Sequence, residues 1–376
     1  MKMKSTKSSL NAGIGVIGAL LIVLSLTSFA AEEPSEFLKG KVHYLDKEGL
    51  SLAKKVALAE TEFRKSKSDD TFLTGYVFRS RHEIHMGGRW ASARPYRVFA
   101  DENEIKVRRK FRSDDTSESW DSEEGGEPVG LLLLHLISKG KSEIQDAHMI
   151  DLNQIFEFEE QPLYWLGEVS NEESFHFLEG AFKAANHRLQ RMLLGIICAH
   201  DGPKAHDFLR GVIFGDYTRE VRKNAIFWLG NLRDEKSLSY LKEVIKKEDD
   251  SELKKQAVFA IQLSDEKEAM SELIRIAKTD SDQRIRKNAI FWLGQKASKE
   301  CVKALKDVIE EEENVELKNQ AVFALTQLPK DQSVPMLIDI AKTNKSPEVR
   351  KRAIFWLGQT GDERALKFFE DILLKK

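Results

Sequence analysis

The chain has 376 residues, of which 41% are hydrophobic and 32% charged. Its 59 Lys and Arg nearly balance its 61 Asp and Glu, leaving a formal charge of −2. No net basic field recommends nucleic acid as a partner, and this length suffices for a large core in two structural units.

Lys2, Lys4 and Lys7 precede an uncharged run over residues 8–31 with an apolar heart at 14–26. Ser28 and Ala30 then stand at −3 and −1 before Ala31. Basic start, short apolar core and small-x-small site are the pattern of a secretory signal peptide. Residues 1–30 are therefore expected to be removed, leaving a periplasmic or extracellular protein. The other reading is an uncleaved anchor, because the run is long enough to span a bilayer; only then is the membrane a partner. Cys198 and Cys301 lie about three repeats apart, out of reach of a disulfide. Both are expected to be small buried residues.

Residues 31–158 read as a small α+β module. Leu52, Val56, Ala59 and Phe63 share one face of a helix predicted over 46–67. A strand is predicted over 72–84, where aromatic and β-branched residues interleave with polar ones. Residues 97–100 and 105–108 flank a hairpin loop, and 113–127 form an acidic Ser/Gly-rich loop. The apolar run 129–137 has the length of a buried central strand, and 144–158 supplies one more. Within this module His82 and His85 make the one arrangement that invites a metal. Three residues apart on a strand, they point to opposite faces, and the spacing that puts two ligands on one helical face is absent. No metal or cofactor is expected. A pocket lined by His82, His85 and Trp90 with a bound ion would instead favour an enzyme.

From residue 159 to 376 the chain repeats itself. VRKNAIFWLG at 221–230 returns as IRKNAIFWLG at 285–294 and VRKRAIFWLG at 349–358. Halfway between come LKKQAVFAIQL at 253–263 and LKNQAVFALTQL at 317–328, so the period is 32 residues. Such self-similarity signals a stacked-repeat architecture. Each repeat has a helix A with apolar positions such as 221, 225, 228, 229 and 232. A helix B follows a turn bearing Asp234, Asp265, Ser298, Asp331 or Asp362 as its cap. Trp165, in LYWLG, looks like the first member of the FWLG series. The expected fold is mainly α: a right-handed α-solenoid of about seven helix-pair repeats behind the α+β module.

The V-R-x-x-A-x-x-x-L-G pattern resembles the short HEAT-like repeats named after phycobilisome lyases. The alternating V-F-A-L and F-W-L-G helices, behind a strand with Gly75-Tyr76-Val77-Phe78, are similar to those of exported bacterial HEAT-repeat proteins. The resemblance implies architecture and location more than activity.

Three lines of side chains run along the stack. Trp228, Trp292 and Trp356, with Trp165 ahead of them, alternate with Ala260 and Ala324; large and small residues in one line suit a packed core. Phe227, Phe259, Phe291, Phe323 and Phe355 lie about 140° from the centre of the buried stripe. They form either a seal between successive A helices or an exposed apolar surface for a partner. Arg222, Arg286 and Arg350, with Lys254 and Lys318, make a basic line. It is read either as a track for an acidic partner or as cations paired with Glu220, Asp250, Glu252, Asp282 and Glu348. No convergent catalytic constellation is visible. The expectation is a non-catalytic scaffold that binds another protein, with weak homodimerisation through its last repeat. The alternatives are a lyase-like enzyme or chaperone, and small-ligand binding by the amino-terminal module.

Overall fold

A computed structural model describes residues 34–66, 70–80, 107–111, 128–152, 154–200, 204–264, 267–296 and 298–374 of the chain. The signal segment, His82, His85, Trp90, the 113–127 loop, Asp265 and most of the 97–108 hairpin lie outside these residues. Among the described residues, no helix is long and apolar enough to cross a membrane, and no group of three or more His, Cys, Asp or Glu is gathered to hold a metal ion.

The amino-terminal module is a six-stranded sheet: β1 (Leu38–Tyr44), β2 (Thr71–Arg79), β3 (Val107–Phe111), β4 (Pro128–Ser138), β5 (Lys141–Ile150) and β6 (Gln154–Glu168). Its order is β1-β6-β2-β4-β5, with β3 also paired to β6. β6 runs parallel to β1 and β2 and antiparallel to β3, while β4 is antiparallel to both β2 and β5. Residues 144–158 thus contribute to two strands, and β1 had no clear sequence signal.

Period-2 alternation sends the apolar run of β4 into two cores. Leu131 and Leu133 face one side with Phe72, Tyr76, Phe78, Tyr164 and Leu166. Leu132 and Leu134 face the other with Leu73, Leu163 and Trp165. Gly75 makes room for that indole: a Cβ there would stand 2.8 Å from the Trp165 ring. α1 (Leu52–Ser66) covers the first face through Leu52, Ala59 and Phe63, and Phe63 stacks on Phe72 at 4.8 Å. Lys55 is buried in the same helix, and its Nζ donates to Asp46 Oδ1 at 2.7 Å and to the Leu166 carbonyl at 2.9 Å.

Trp165 is therefore not the first rung of a helical ladder. LYWLG matches FWLG in residue type, yet it continues the strand that begins at Gln154. A strand buried on both faces carries an unbroken apolar run, which periodicity alone cannot tell from a buried helix segment. The solenoid begins at Asn171 rather than near 159.

It comprises α2 (Asn171–Ala184) and then six helix pairs: α3 (His187–Ala199) with α4 (Lys204–Ile213), α5 (Arg219–Asn231) with α6 (Glu235–Lys247), and α7 (Ser251–Gln262) with α8 (Lys267–Thr279). The series continues with α9 (Gln283–Lys296) and α10 (Lys299–Glu311), α11 (Val315–Leu325) and α12 (Lys330–Thr343), and α13 (Pro347–Thr360) and α14 (Glu363–Leu374). Asp234 and Ser298 cap α6 and α10 as expected, accepting from the backbone N–H of Ser237 and Cys301. Asp331 does not cap α12. That helix starts after Pro329 and takes Asp331 into its first turn, where a carboxylate suits the helix dipole. Cys198 and Cys301 are both buried, as expected.

Module and solenoid share one core. Tyr76, Leu133 and Leu166 of the sheet and Phe175, Leu178 and Phe182 of α2 belong to the same apolar cluster. The Val169 N–H donates to the Val77 carbonyl at 2.9 Å, and the Arg79 N–H to Asn171 Oδ1 at 3.0 Å. Deeper in, Tyr76 Oη meets Ser174 Oγ at 2.8 Å, and Ser174 Oγ meets His200 Nε2 at 2.7 Å. His200 Nδ1 lies 2.8 Å from the Ile196 carbonyl, which only accepts, so Nδ1 carries the proton. Burial pushes the His200 imidazole down to about 4, so Nε2 accepts from Ser174, which in turn accepts from Tyr76.

Candidate interaction surface

The outward side of the A helices is built from a four-residue alternation. In α5 the buried positions are Val221, Ala225, Ile226, Leu229 and Gly230. Phe227 falls between them on the far side of the helix and is half-buried, as are Phe259, Phe291 and Phe323. Phe355, on the last A helix, is 51% exposed. The two readings of this line thus merge: each ring leans on a neighbour with one side and faces solvent with the other.

The tryptophans belong to this surface as much as to the core. Trp228, Trp292 and Trp356 are half-buried, not sealed inside as the large-and-small alternation suggested. Phe227 stacks on Phe259 at 6.3 Å with rings 7° from parallel. Phe259 then meets Trp292 at 5.0 Å and Phe323 meets Trp356 at 5.1 Å, in both cases reaching into the next repeat. Within single helices, Phe227–Trp228, Phe291–Trp292 and Phe355–Trp356 are edge-on pairs at 5.4, 5.0 and 5.0 Å. Phe and Trp therefore form one ridge along the A helices, with rings in the offset and edge geometries that aromatic quadrupoles favour.

The Ala positions do a different job. A Cβ on Gly230 would come within 2.6 Å of Ala260 Cβ, and one on Gly294 within 2.9 Å of Ala324 Cβ. Where Ala follows a glycine-bearing helix, the backbones close up. Where Trp follows, as at Phe259–Trp292, the aromatic pair holds the helices apart. Close and wide contacts alternate, and this gives the 64-residue spacing of the strong motif its physical cause.

Two arginines of the basic line are structural clamps. Arg222 Nε donates to the Ile213 carbonyl at 2.5 Å while Nη2 pairs with Glu248. Arg286 repeats this one double repeat later, with Nε on the Ala277 carbonyl at 3.1 Å and Nη2 on Glu312. Each guanidinium therefore ties the end of the preceding B helix to the cap of its own. The partners Glu248 and Glu312 were not among the acids expected from sequence. Those acids pair instead with flanking cations: Asp250 with Arg219, Glu252 with Lys255, and Asp282 with Arg284, at 2.6–2.8 Å. Arg350 differs, with Nη1 donating to the Asn344 and Lys345 carbonyls at 2.7 and 3.1 Å.

Buried titratable groups occur within the sheet module and where it meets the solenoid, and each has a structural role. His135 Nε2 is bonded to Thr74 Oγ1 at 2.8 Å, and burial holds its imidazole down to about 3. Asp146, raised by desolvation, accepts from the Ala147 N–H and pairs with Arg188 of α3 at 3.3 Å. Ser174 and His200 have the spacing of a nucleophile and its base. Both are fully buried and the hydroxyl is committed to a chain ending on a carbonyl, so no substrate reaches them.

The HEAT_2 model, describing HEAT repeats, matches residues 175–262 and 302–376. No curated protein matches the chain. Among solved structures it is similar to the complex of CpcE and CpcF of phycocyanin lyase from Nostoc sp. PCC7120. That match has a TM-score of 0.31 and 16% identity, over 52% of this chain and 79% of that one. YibA of Escherichia coli gives a TM-score of 0.32 at 17% identity, covering 54% and 77%. Human deoxyhypusine hydroxylase in complex with glycerol gives 0.25 at 19%, covering 54% and 79%. Both matched segments lie in the helical part of the chain, which is similar there to HEAT repeats.

Proposed function

We propose that this protein is an exported, non-catalytic scaffold that binds another protein along the aromatic ridge of its HEAT-repeat solenoid. The observation that carries the reading is the half-exposed row Phe227, Phe259, Phe291 and Phe323, ending in the exposed Phe355. Rows of partly exposed aromatic rings on a rigid stack are what interface cores are made from. A solenoid presents them over several repeats, so the contact is extended and no single concave site is needed. The Arg clamps and the buried His groups are occupied structurally, whereas the ridge, besides spacing the helices, keeps part of its rings open to solvent. Export follows from the basic and apolar start of the chain, with the mature protein working in the periplasm or outside the cell.

The test is a cross-linked pull-down from the envelope fraction with the mature protein and with Phe291→Glu. Phe291 is half-exposed, so the variant is expected to keep its helical circular dichroism and lose the captured partner. Capture by both forms would move the interaction to the amino-terminal module and sink the ridge reading.

A further inference from the structure

The polar positions beside the aromatic ridge are of one kind from α5 to α11. Three residues before each ridge phenylalanine, on the same face and one turn away, stand Asn224, Gln256, Asn288 and Gln320, all half-buried. In a chain with 32% charged residues, this row holds none, and neither does the ring row beside it. The lysines next to the amides, Lys223, Lys255 and Lys287, are paired with Glu220, Glu252 and Glu316. The strip therefore offers a partner no net charge. What complements it is an uncharged surface that still carries hydrogen-bonding groups.

Two of these amides have unused bonding capacity. Asn224 Oδ1 and Asn288 Oδ1 find no hydrogen-bond partner among the described residues, and neither does Trp292 Nε1, one turn along α9 from Asn288. Covered indole and amide groups ordinarily find one. The polar row on the other side of the rings is engaged internally. Asn231 Nδ2 donates to the Phe227 carbonyl at 2.8 Å, and Gln295 Nε2 donates to Gln327 Oε1 at 3.3 Å. Turning Asn224 or Asn288 about its last torsion presents an acceptor or donors to the surface, and the oxygen gives up no bond in doing so.

Neutral donors and acceptors beside apolar rings match a polypeptide main chain together with its apolar side chains. A folded surface offers little of either, because helices and sheets have paired their N–H and C=O groups and large apolar side chains are mostly inside. An extended segment offers both. Bonds to its main chain supply affinity with little regard to sequence, while the rings accept apolar side chains. Resting on the ridge reading above, we propose that the ridge binds an extended segment of its partner. Asn224 and Asn288 bond the main chain of that segment, and Phe227, Phe259 and Phe291 take its apolar side chains.

The probe is an uncharged twelve-residue peptide, Gly-Phe-Ser repeated four times, titrated calorimetrically into the full chain beside a twin whose phenylalanine nitrogens are methylated. Saturable binding is expected, weakened about fivefold by Asn288→Leu, the worth of one ordinary hydrogen bond, and further when Asn224→Leu is added. The methylated twin keeps the side chains and lacks those N–H groups. It is expected to bind about tenfold more weakly, because several such bonds go at once. Each variant removes an oxygen without an internal partner, so both are expected to fold normally, which circular dichroism checks. No saturable binding, or binding indifferent to the asparagine variants and to methylation, overturns the proposal. The ridge reading survives that result as long as Phe291→Glu still loses the captured partner, so the two failures are read separately. Displacement of the peptide by cellohexaose, itself weakened by Asn288→Leu, also overturns the proposal, by assigning the strip to a glycan.

Discussion

Gly230 lies so close beneath Ala260 that the smallest side chain on it would stand 2.6 Å from the Ala260 Cβ. Gly294 is held as tightly, with the Ala324 carbonyl oxygen 2.6 Å from the same virtual atom. Gly358 occupies the equivalent place on α13 and meets nothing within 4 Å. One substitution should therefore have opposite signs along one chain. Gly294→Ala forces two backbones apart and is expected to cost about 1–3 kcal/mol, as overpacking does. Gly358→Ala gains helix propensity and relieves unfolded-chain entropy, for a stabilisation of about 0.5–1 kcal/mol. Urea unfolding of the two variants against the parent checks both signs, and equal effects would show that the stack is not closed at Gly294.

The arginine clamps give a second contrast. Arg286 holds a carbonyl and a carboxylate at once, with its side chain 16% and that of Glu312 13% exposed. Removing one member of a largely buried, hydrogen-bonded pair leaves the other uncompensated. Arg286→Ala is expected to cost about 2–4 kcal/mol on this argument, and Arg286→Lys to recover only part, since an ammonium lacks the planar fork. Arg350 bonds carbonyls at the end of its own preceding turn, so Arg350→Ala should cost less. Hydrogen exchange on α9 and α10 would locate the loss, which in a one-dimensional stack falls mainly on neighbouring repeats.

Acid should loosen the joint between sheet and solenoid. Burial lowers His135 to about 3 and His148 and His200 to about 4, with Arg188 also acting on His148. Unfolded, these imidazoles titrate near pH 6.5. Between the folded and unfolded values the unfolded chain binds more protons, so stability rises with pH. It is fully present above about pH 6.5 and drains away as pH falls from there toward 4. Asp146, raised by desolvation, works in the opposite sense at the acid end of this window. Going from pH 7 to pH 5 should cost about 2 kcal/mol per buried histidine. Urea midpoints at the two pH values check this, and His200→Gln should flatten part of the slope.

How much of this was legible beforehand follows from what periodicity measures. The 32-residue repeat fixed the helix pairs because every A helix from α5 onward repeats the spacing of Val221, Ala225 and Leu229. The same criterion misplaced Trp165, since a strand buried on both faces and a helical FWLG share residue types and differ only in neighbours. It also put the Phe line about 140° from the centre of the buried stripe, with seal and surface both open. It could not say that Phe259 reaches forward to Trp292, because a contact between repeats depends on helix spacing. The close contacts on either side of that pair are made at Gly230 and Gly294, whose role shows only once the backbones are in place. Glu248 and Glu312 were missed for a similar reason: they are 26 residues from their arginines and become neighbours only when helix B folds back.

The ridge predicts a pattern of coupling along the chain. Phe259 and Trp292 touch at 5.0 Å across the α7–α9 contact, and Phe323 and Trp356 repeat the pair at 5.1 Å. Trp292 is half-buried, so Trp292→Ala should cost about 2–3 kcal/mol, below the roughly 3–5 kcal/mol of a fully enclosed indole. A double-mutant cycle of Phe259→Ala with Trp292→Ala is expected to show about 1 kcal/mol of coupling, as aromatic pairs do. The cycle of Phe259→Ala with Trp356→Ala crosses a second interface and should be additive within about 0.5 kcal/mol. Coupling in the first cycle alone would show that the ridge is a chain of local pairs, each able to yield to a partner without unfolding the next. Equal coupling in both would mean that the solenoid responds as one cooperative unit, and a partner docked on one ring would then stiffen the whole stack.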